Sequence, residues 1–201
     1  MKFNLAWGGL HKVISGGQTG ADQGGLMAAW RHGIETGGQA PLSYKTQDSY
    51  NPLLEVLGLT QAGDYSSRTR KNIDEADGTV IIAHHLGSAG TVLTRKETKL
   101  AEKPLLEIHI IDMVQMAIGG NRSDSEAVFG EVLKHSSALC DWIVSNQIQV
   151  LNVAGNREIR SDGTQHGTMI VHNSTEFIIS MAIDVLKADG HVILKKDKTE
   201  F

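Results

Sequence analysis

The chain has 201 residues, 40% of them hydrophobic, and a formal net charge of −4. This length and apolar content suffice for one domain with a proper core, and the charge argues against nucleic-acid binding driven by bulk charge. Cys140 is the only cysteine, so we expect a cytoplasmic protein that buries this thiol as a small hydrophobe. We expect neither a signal peptide nor a membrane-spanning segment, and hence no membrane partner.

The first predicted elements are a strand over residues 12–15 and a helix over residues 20–32. Residues 16–22, the first loop, contain the adjacent glycines Gly16 and Gly17. A glycine-rich turn before a helix exposes backbone N–H groups at the positive end of the helix dipole, which favours an anion. The alternative is a turn that merely requires glycine, and the pattern matches neither the dinucleotide fingerprint nor the P-loop.

A basic segment follows a short second strand over residues 34–39 and a long loop over residues 41–58. A turn of helix is expected at residues 53–57, and the loop is either functional or a surface insertion. The next helix spans residues 66–76, with Ser66 or Ser67 as its cap, and places Arg68, Arg70 and Lys71 near its start. Cations there oppose the helix dipole and indicate anion binding, with a solvated basic face as the alternative.

The second half of the chain alternates strands and helices. Strands are predicted over residues 79–83, 105–110 and 148–153, and helices over 91–101, from Ser125, and from a cap at Ser174 or Thr175 to a stop at Gly190. The buried faces of the last two helices are predicted to include Phe129, Val132, Leu133, Leu139, Cys140, Ile143, Val144, Phe177, Ile178, Met181, Val185 and Leu186. We expect one domain over residues 1–190 and a charged tail over residues 191–201.

This alternation predicts a doubly wound α/β fold with a mostly parallel sheet. In such folds a ligand binds outside the carboxyl ends of the strands, at a switch point. Three turns are expected to meet there: the first loop, the second loop (residues 88–91) and the third loop (residues 155–158). Their convergence predicts a site for a phosphorylated small molecule.

Five motifs follow one another along the chain: Ser15-Gly16-Gly17-Gln18-Thr19-Gly20-Ala21-Asp22, Arg68-Thr69-Arg70-Lys71-Asn72, Asp77-Gly78-Thr79, Gly90-Thr91 and Leu151-Asn152-Val153-Ala154-Gly155. Together they resemble the motifs of the molybdenum carrier family. That family lies within the SLOG group of Rossmann-like domains, which also contains the phosphoribohydrolases known as lysine decarboxylase-like proteins. The resemblance runs from about residue 12 to about residue 186 and implies a three-layer α/β/α domain.

The resemblance also implies a ligand: the molybdenum cofactor or a nucleotide derivative, held by a carrier or sensor that forms a dimer or tetramer. By analogy the first loop lines a phosphate cradle, Gly90 and Thr91 complete it, and Arg70 faces the anion. The full expected set is Gly16, Gly17, Gln18, Thr19, Gly20, Asp22, Arg68, Arg70, Ser88, Gly90, Thr91, Gly155 and Arg157.

Several departures from the resembling families bear on catalysis. Thr94 stands where the phosphoribohydrolases have a catalytic glutamate, which argues against glycosidic cleavage and favours a non-catalytic binder. The alternative is a nucleotide-processing enzyme, with Asp22 or Glu97 as the carboxylate. Ala89 replaces a glycine of the second loop, Asn156 stands where carriers commonly have proline, and residues 160–172 are longer and more polar.

No metal site is expected. His84 and His85 are adjacent, so on a strand they would point to opposite faces. His166 and His172 match no standard zinc spacing.

Overall fold

The strands form two parallel sheets in a computed structural model that describes residues 7–119, 124–159 and 169–194. The strands are β1 (Lys12–Ser15), β2 (Glu35–Gly37), β3 (Gln39–Ala40), β4 (Thr60–Gln61), β5 (Gly78–Ala83), β6 (Leu105–His109) and β7 (Val150–Gly155). The main sheet has the order β2-β1-β7-β5-β6, and β3 pairs with β4 separately. Every pairing between these strands is parallel.

Helices cover both faces of the main sheet. They are α1 (Ala21–Arg31), α2 (Leu53–Val56), α3 (Tyr65–Glu75), α4 (Ala89–Leu100), α5 (Ile111–Gly119), α6 (Asp124–Ser145) and α7 (Ile170–Ala188), with a short 3-10 helix at Leu42–Tyr44. One layer contains α1, α7 and α6 packed in succession, and α3 packs on α4 in the other. The predicted doubly wound α/β fold is confirmed.

The core explains why β5 and β7 are central strands. Every residue of β5 is buried, as expected for a parallel strand covered on both faces. Val80 and Val153 belong to the main hydrophobic cluster together with Ile178 of α7. Cys140 is buried in the same cluster, as predicted.

The sheet has its topological switch point at β7. The chain passes from β1 through α1 to β2 on one side, and from β5 through α4 to β6 on the other. β7 lies between β1 and β5. The two crossovers diverge from this strand, so the turns after β1, β5 and β7 meet over one crevice.

The predicted long loop is an ordered region. Its turn of helix is confirmed as α2, and β4 was not foreseen. Tyr44, Leu54, Leu57 and Leu59 pack with Leu26 of α1 in a second hydrophobic cluster. Leu54 and Leu59 of this cluster lie against Gly17 of the first loop.

Two helix starts differ from the prediction. Asp64, rather than Ser66 or Ser67, caps α3 by accepting a hydrogen bond from Ser67 N at 3.0 Å. Helix α3 therefore begins at Tyr65, and Arg70 and Lys71 lie beyond its first turn. Helix α7 begins at Ile170, so Ser174 and Thr175 are buried within the helix instead of capping it.

Other differences concern burial and the chain end. Phe129, Leu133, Phe177 and Val185 are exposed instead of facing the core, whereas the predicted residues Val132, Leu139, Ile143, Ile178 and Leu186 are buried. Helix α5 was missed, because its apolar run directly follows that of β6. Val192 pairs with Leu10, whereas residues 160–168, including His166, and the tail from 195 lie outside the described residues. No helix in the described ranges is long and apolar enough to span a membrane.

Candidate functional site

A small cavity, the inner cavity, lies where β1 and β7 end beneath α3 and α4. Its volume is about 60 Å³. It is lined by Gly16, Gln18, Asp22, Tyr65, Arg68, Thr69, Asn72, Thr94, Asn152, Ala154, Gly155 and Arg157. The first and third loops therefore meet at one place, as their positions in the sequence predict.

Asp22 is the only carboxylate in that lining, and the first loop folds around it. Gln18 N donates to Asp22 Oδ2 at 3.2 Å. A Cβ on Gly16 would lie 2.8 Å from the same oxygen, so glycine is needed for this close approach. Burial raises the pKa of Asp22 to about 7, although the hydrogen bond from Gln18 and the charge of Arg68 oppose that rise.

Two other N–H groups of the first loop also have partners within the chain. Gly17 N donates to Ser15 Oγ at 3.1 Å, and Ala21 N donates to the backbone oxygen of Asn156 at 3.1 Å. A Cβ on Gly17, which has φ of 70°, would meet Leu54 and Leu59 rather than the cavity. The expected phosphate cradle is thus occupied in part by the carboxylate of Asp22.

Thr19 and Gly20 complete the first loop without lining the inner cavity. Thr19 Oγ1 donates to Gln47 Oε1 at 3.3 Å. Gly20 has φ of 90° and packs against the backbone of Asn156 and Arg157. Both residues connect the first loop to neighbouring segments.

Arg68, not Arg70, is the cation that α3 directs into the cavity. Arg68 is only 7% exposed, stacks 5.5 Å above the Tyr65 ring, and its buried Nε has no hydrogen-bond partner among the described residues. Burial lowers its pKa. Arg70 and Glu97 both lie outside the lining. Arg70 donates from Nε to Glu97 Oε2 at 3.1 Å.

Asn152 is a cavity residue that the ligand prediction missed. It is 3% exposed in the middle of β7, and its Nδ2 donates to Thr79 Oγ1 at 3.2 Å. Its Oδ1 is buried without a partner in the described part of the chain. The signal was an asparagine within an otherwise apolar strand, since buried amides are rarely left unpaired. Nothing in the sequence pattern indicated Tyr65.

A wider depression, the outer groove, adjoins the inner cavity. Its volume is about 510 Å³, and it is lined by Tyr65, His84, His85, Ser88, Ala89, Gly90, Gly155, Asn156, Arg157, Glu158 and Ile159. The second loop therefore joins the site. The strand ends at Ala83, so His84 and His85 follow β5 and both reach the groove instead of opposite faces of the sheet.

The second loop places the start of α4 at the outer groove. Ser88 caps the helix by accepting from Thr91 N at 3.4 Å. Thr91 is buried and donates from Oγ1 to Leu86 O at 2.9 Å, so its side chain is used by the loop itself. Gly90 lies beside Tyr65, where an added Cβ would be 2.7 Å from the phenol oxygen.

The third loop holds the other two together. Asn156 Oδ1 accepts from His85 N at 2.7 Å, and its Nδ2 donates to His85 O at 3.2 Å and to Ser88 Oγ at 3.0 Å. A Cβ on Gly155 would overlap Ile82 O. Arg157 is exposed and lines both the cavity and the groove.

Glu158 has a structural task. Its carboxylate accepts from Val171 N and His172 N, each at 2.9 Å, and thus caps α7. This side-chain cap from a distant loop explains why α7 begins before Ser174. Within the described residues, no three His, Cys, Asp or Glu side chains are grouped to hold a metal ion.

Comparisons with known proteins agree with this geometry. The model of a family described as "Circularly permutated YpsA SLOG family" matches residues 13–175. Among solved structures, the chain is similar to a "Putative molybdenum carrier protein" from Syntrophus aciditrophicus SB. The two are 30% identical with a TM-score of 0.66, over 87% of this chain and 96% of the other. No curated protein matches significantly.

Proposed function

We propose that this chain binds a phosphorylated small molecule as a carrier or sensor. The chain belongs to the circularly permutated YpsA SLOG family. The ligand would span the inner cavity and the outer groove. The observation that supports this best is Arg68, a buried cation whose Nε lacks a partner among the described residues. A buried unpaired donor of this kind is costly in the free protein, and a ligand atom would satisfy it.

The outer groove suits the phosphate. The N-terminus of α4, at Ala89 and Gly90, lines it, and a helix N-terminus attracts anions through its dipole and free N–H groups. Arg157 lines the same groove and offers a planar fork of donors that matches phosphate oxygens. The first loop is less suited, because Asp22 already accepts one of its N–H groups.

Two ligand classes fit within this proposal: the molybdenum cofactor and a nucleotide derivative. The printed name of the structural relative favours the first. The size of the outer groove, about 510 Å³, admits either, since ligand pockets are typically about 300–1,000 Å³. We also propose that the protein acts in the cytoplasm, because Cys140 is its only cysteine and it therefore has no internal disulfide.

Native mass spectrometry of freshly purified protein tests the proposal. We expect a co-purifying phosphorylated compound on the wild-type protein and a clear loss of it from Arg157→Ala. Lys71→Ala is the matched control, because it removes an exposed cation of α3 that lines neither space. The proposal fails if neither a co-purified nor an added phosphorylated compound binds, or if both variants lose it equally.

A second candidate, a nucleotide-processing enzyme, is favoured by Asp22. Burial raises the pKa of this carboxyl to about 7, the range in which a general acid or base works well at neutral pH. Thr94 lies in the same cavity but has no charge to contribute. Release of free base from adenosine monophosphate, followed by chromatography, decides between the two. Turnover that vanishes in Asp22→Asn and survives Glu97→Gln would favour the enzyme.

We also propose that the chain forms a homo-oligomer, either a dimer or a tetramer. Trp30 of α1 is 52% exposed and Phe177 of α7 is 62% exposed, and these two helices pack together. A contiguous exposed apolar patch marks an interface, and we propose that Trp30 and Phe177 belong to one. A mass from light scattering that matches a monomer would contradict this.

A further inference from the structure

We propose that the inner cavity selects a hydroxyl-bearing group of an organic phosphate, such as the vicinal hydroxyls of a sugar, and rejects bare oxyanions. The proposal rests on the proposed function and specifies which chemical group enters the cavity. It is supported by the juxtaposition of Asp22, Asn152 and Arg68 around one small volume. Asp22 and Asn152 supply hydrogen-bond acceptors, and Arg68 supplies a donor.

The acceptors in the cavity require hydrogens from a ligand. A carboxylate such as Asp22 offers about four lone-pair sites, of which Gln18 N uses one on Oδ2. Asn152 Oδ1 and Gln18 Oε1 are both buried without a partner among the described residues. Hydrogen phosphate has too few hydrogens to pair with all of these acceptors, and molybdate has none. Either oxyanion would leave acceptors unpaired, at a cost in binding free energy.

Arg68 adds the complementary requirement. Its unpaired Nε needs an acceptor, and a hydroxyl oxygen accepts one hydrogen bond while its own hydrogen is donated. One hydroxyl can therefore accept from Arg68 and donate to Asp22 or Asn152. A bare oxyanion would satisfy Arg68 but would bring its negative charge close to the carboxylate of Asp22, where the two charges repel.

The sizes of the two spaces support the same division. A water molecule needs about 10–15 Å³ of such cavity volume, so the inner cavity, with about 60 Å³, holds only a small polar group. The phosphate would then lie in the outer groove, which Arg157 and the start of α4 line. The ligand would thus place its hydroxyls inside and its charge outside.

Calorimetric titration at pH 8 with matched nucleotides tests the proposal. The probes are adenosine 5′-monophosphate and its 2′,3′-dideoxy analogue, which differ only in the two hydroxyls, together with inorganic phosphate and molybdate. We expect the dideoxy analogue to bind about tenfold to a hundredfold more weakly, since buried polar groups lose their partners. Equal affinities for the two nucleotides, or equally tight binding of phosphate or molybdate, would overturn the proposal.

Substitution of the acceptors sharpens the test. Asp22→Asn keeps an acceptor for Gln18 N but removes the charge, so we expect weaker discrimination between the nucleotides and measurable binding of phosphate. The control is Asp74→Asn, the same change at an exposed position of α3, which should behave like the wild type. Asn152→Asp keeps acceptors in place and should exclude phosphate even more strongly. Tighter phosphate binding by this variant would contradict the proposal, whether or not Asp22→Asn folds.

The experiment separates the two claims. If both nucleotides bind equally well, the hydroxyl selection is wrong and the proposed binding of phosphorylated compounds stands. If neither nucleotide binds to the wild-type protein, the hydroxyl selection is wrong, and the proposed binding of phosphorylated compounds fails with it only if no such compound co-purifies with the protein.

Discussion

The first and second loops look alike in sequence and differ in what they offer to a ligand. Each follows a buried parallel strand, contains glycine and leads into a helix. In the first loop Gln18 N is bonded to Asp22, and Ala21 N at the start of α1 is bonded to Asn156. In the second loop the hydroxyls of Ser88 and Thr91 are hydrogen-bonded to each other, and the start of α4 lines the outer groove. Two turns with a similar strand–glycine–helix sequence can therefore present opposite charges to a ligand: the carboxylate of Asp22 in the first loop and the positive end of the α4 dipole in the second.

The largest expected effect comes from breaking the junction between the two loops at Gly155. Its Cβ position overlaps Ile82 O of β5 and lies 2.7 Å from Ala21 Cβ of α1. Gly155→Ala should lower the free energy of unfolding by about 3 kcal/mol, at the upper end of overpacking costs. Denaturant unfolding measures this. Gly63→Ala is the control, because no heavy atom of the described residues, apart from its chain neighbours, lies within 4 Å of its Cβ position. A similar loss there would contradict the packing account.

A smaller effect is expected when the polar link between the loops is removed. Asn156 is 6% exposed and bonds to both backbone groups of His85 and to Ser88 Oγ. Asn156→Ala should cost about 2 kcal/mol, because partners of these bonds are left unsatisfied. Asn146→Ala, which removes only an exposed bond to Trp142 O of the preceding helix, should cost far less. Equal thermal shifts for the two variants would mean that Asn156 does not link the loops.

The sequence predicted the order of strands and helices better than it predicted which side chains face the inner cavity. The order of strands and helices and the meeting of the loops follow from periodicity and from the geometry of parallel sheets. Helical periodicity shows that Arg68 and Arg70 of α3 point in different directions, but not which of them faces inward. Tertiary packing decides this, and it buries Arg68 and exposes Arg70.

Two other features depend on contacts between distant segments. Glu158 caps α7 from another loop, which no local cap pattern in residues 170–175 reveals. The small sheet of β3 and β4 has strands of two residues each, too short to show alternation. Asn152 could be noticed as a polar residue in an apolar strand, but only the folded arrangement shows that its Oδ1 has no partner among the described residues.

The acidic character of the first loop predicts a pH dependence that the second loop does not have. Burial raises the pKa of Asp22 from its ordinary value of 3.8 to about 7. Between these values the folded chain keeps a proton that the unfolded chain has lost, so the free energy of unfolding falls as the pH rises from about 4 to about 7. Asp22→Asn should lack this component and gain stability relative to wild type across that window. Denaturant unfolding of the wild type, Asp22→Asn and the control Asp74→Asn at pH 5 and pH 8 measures this. An equal loss of stability in all three proteins between the two pH values would contradict the prediction.

Under the proposed function the inner cavity holds the ligand, and the exposed face of α3 does not. Calorimetric titration of Arg68→Ala and Arg70→Ala with adenosine 5′-monophosphate tests this claim directly. Loss of a charge-assisted contact costs about 1.5–3 kcal/mol, so we expect Arg68→Ala to bind roughly tenfold to a hundredfold more weakly than wild type. Arg70→Ala, which loses only its exposed pair with Glu97, should bind within about threefold of wild type, since such pairs contribute little. The reverse order of affinities would contradict the account.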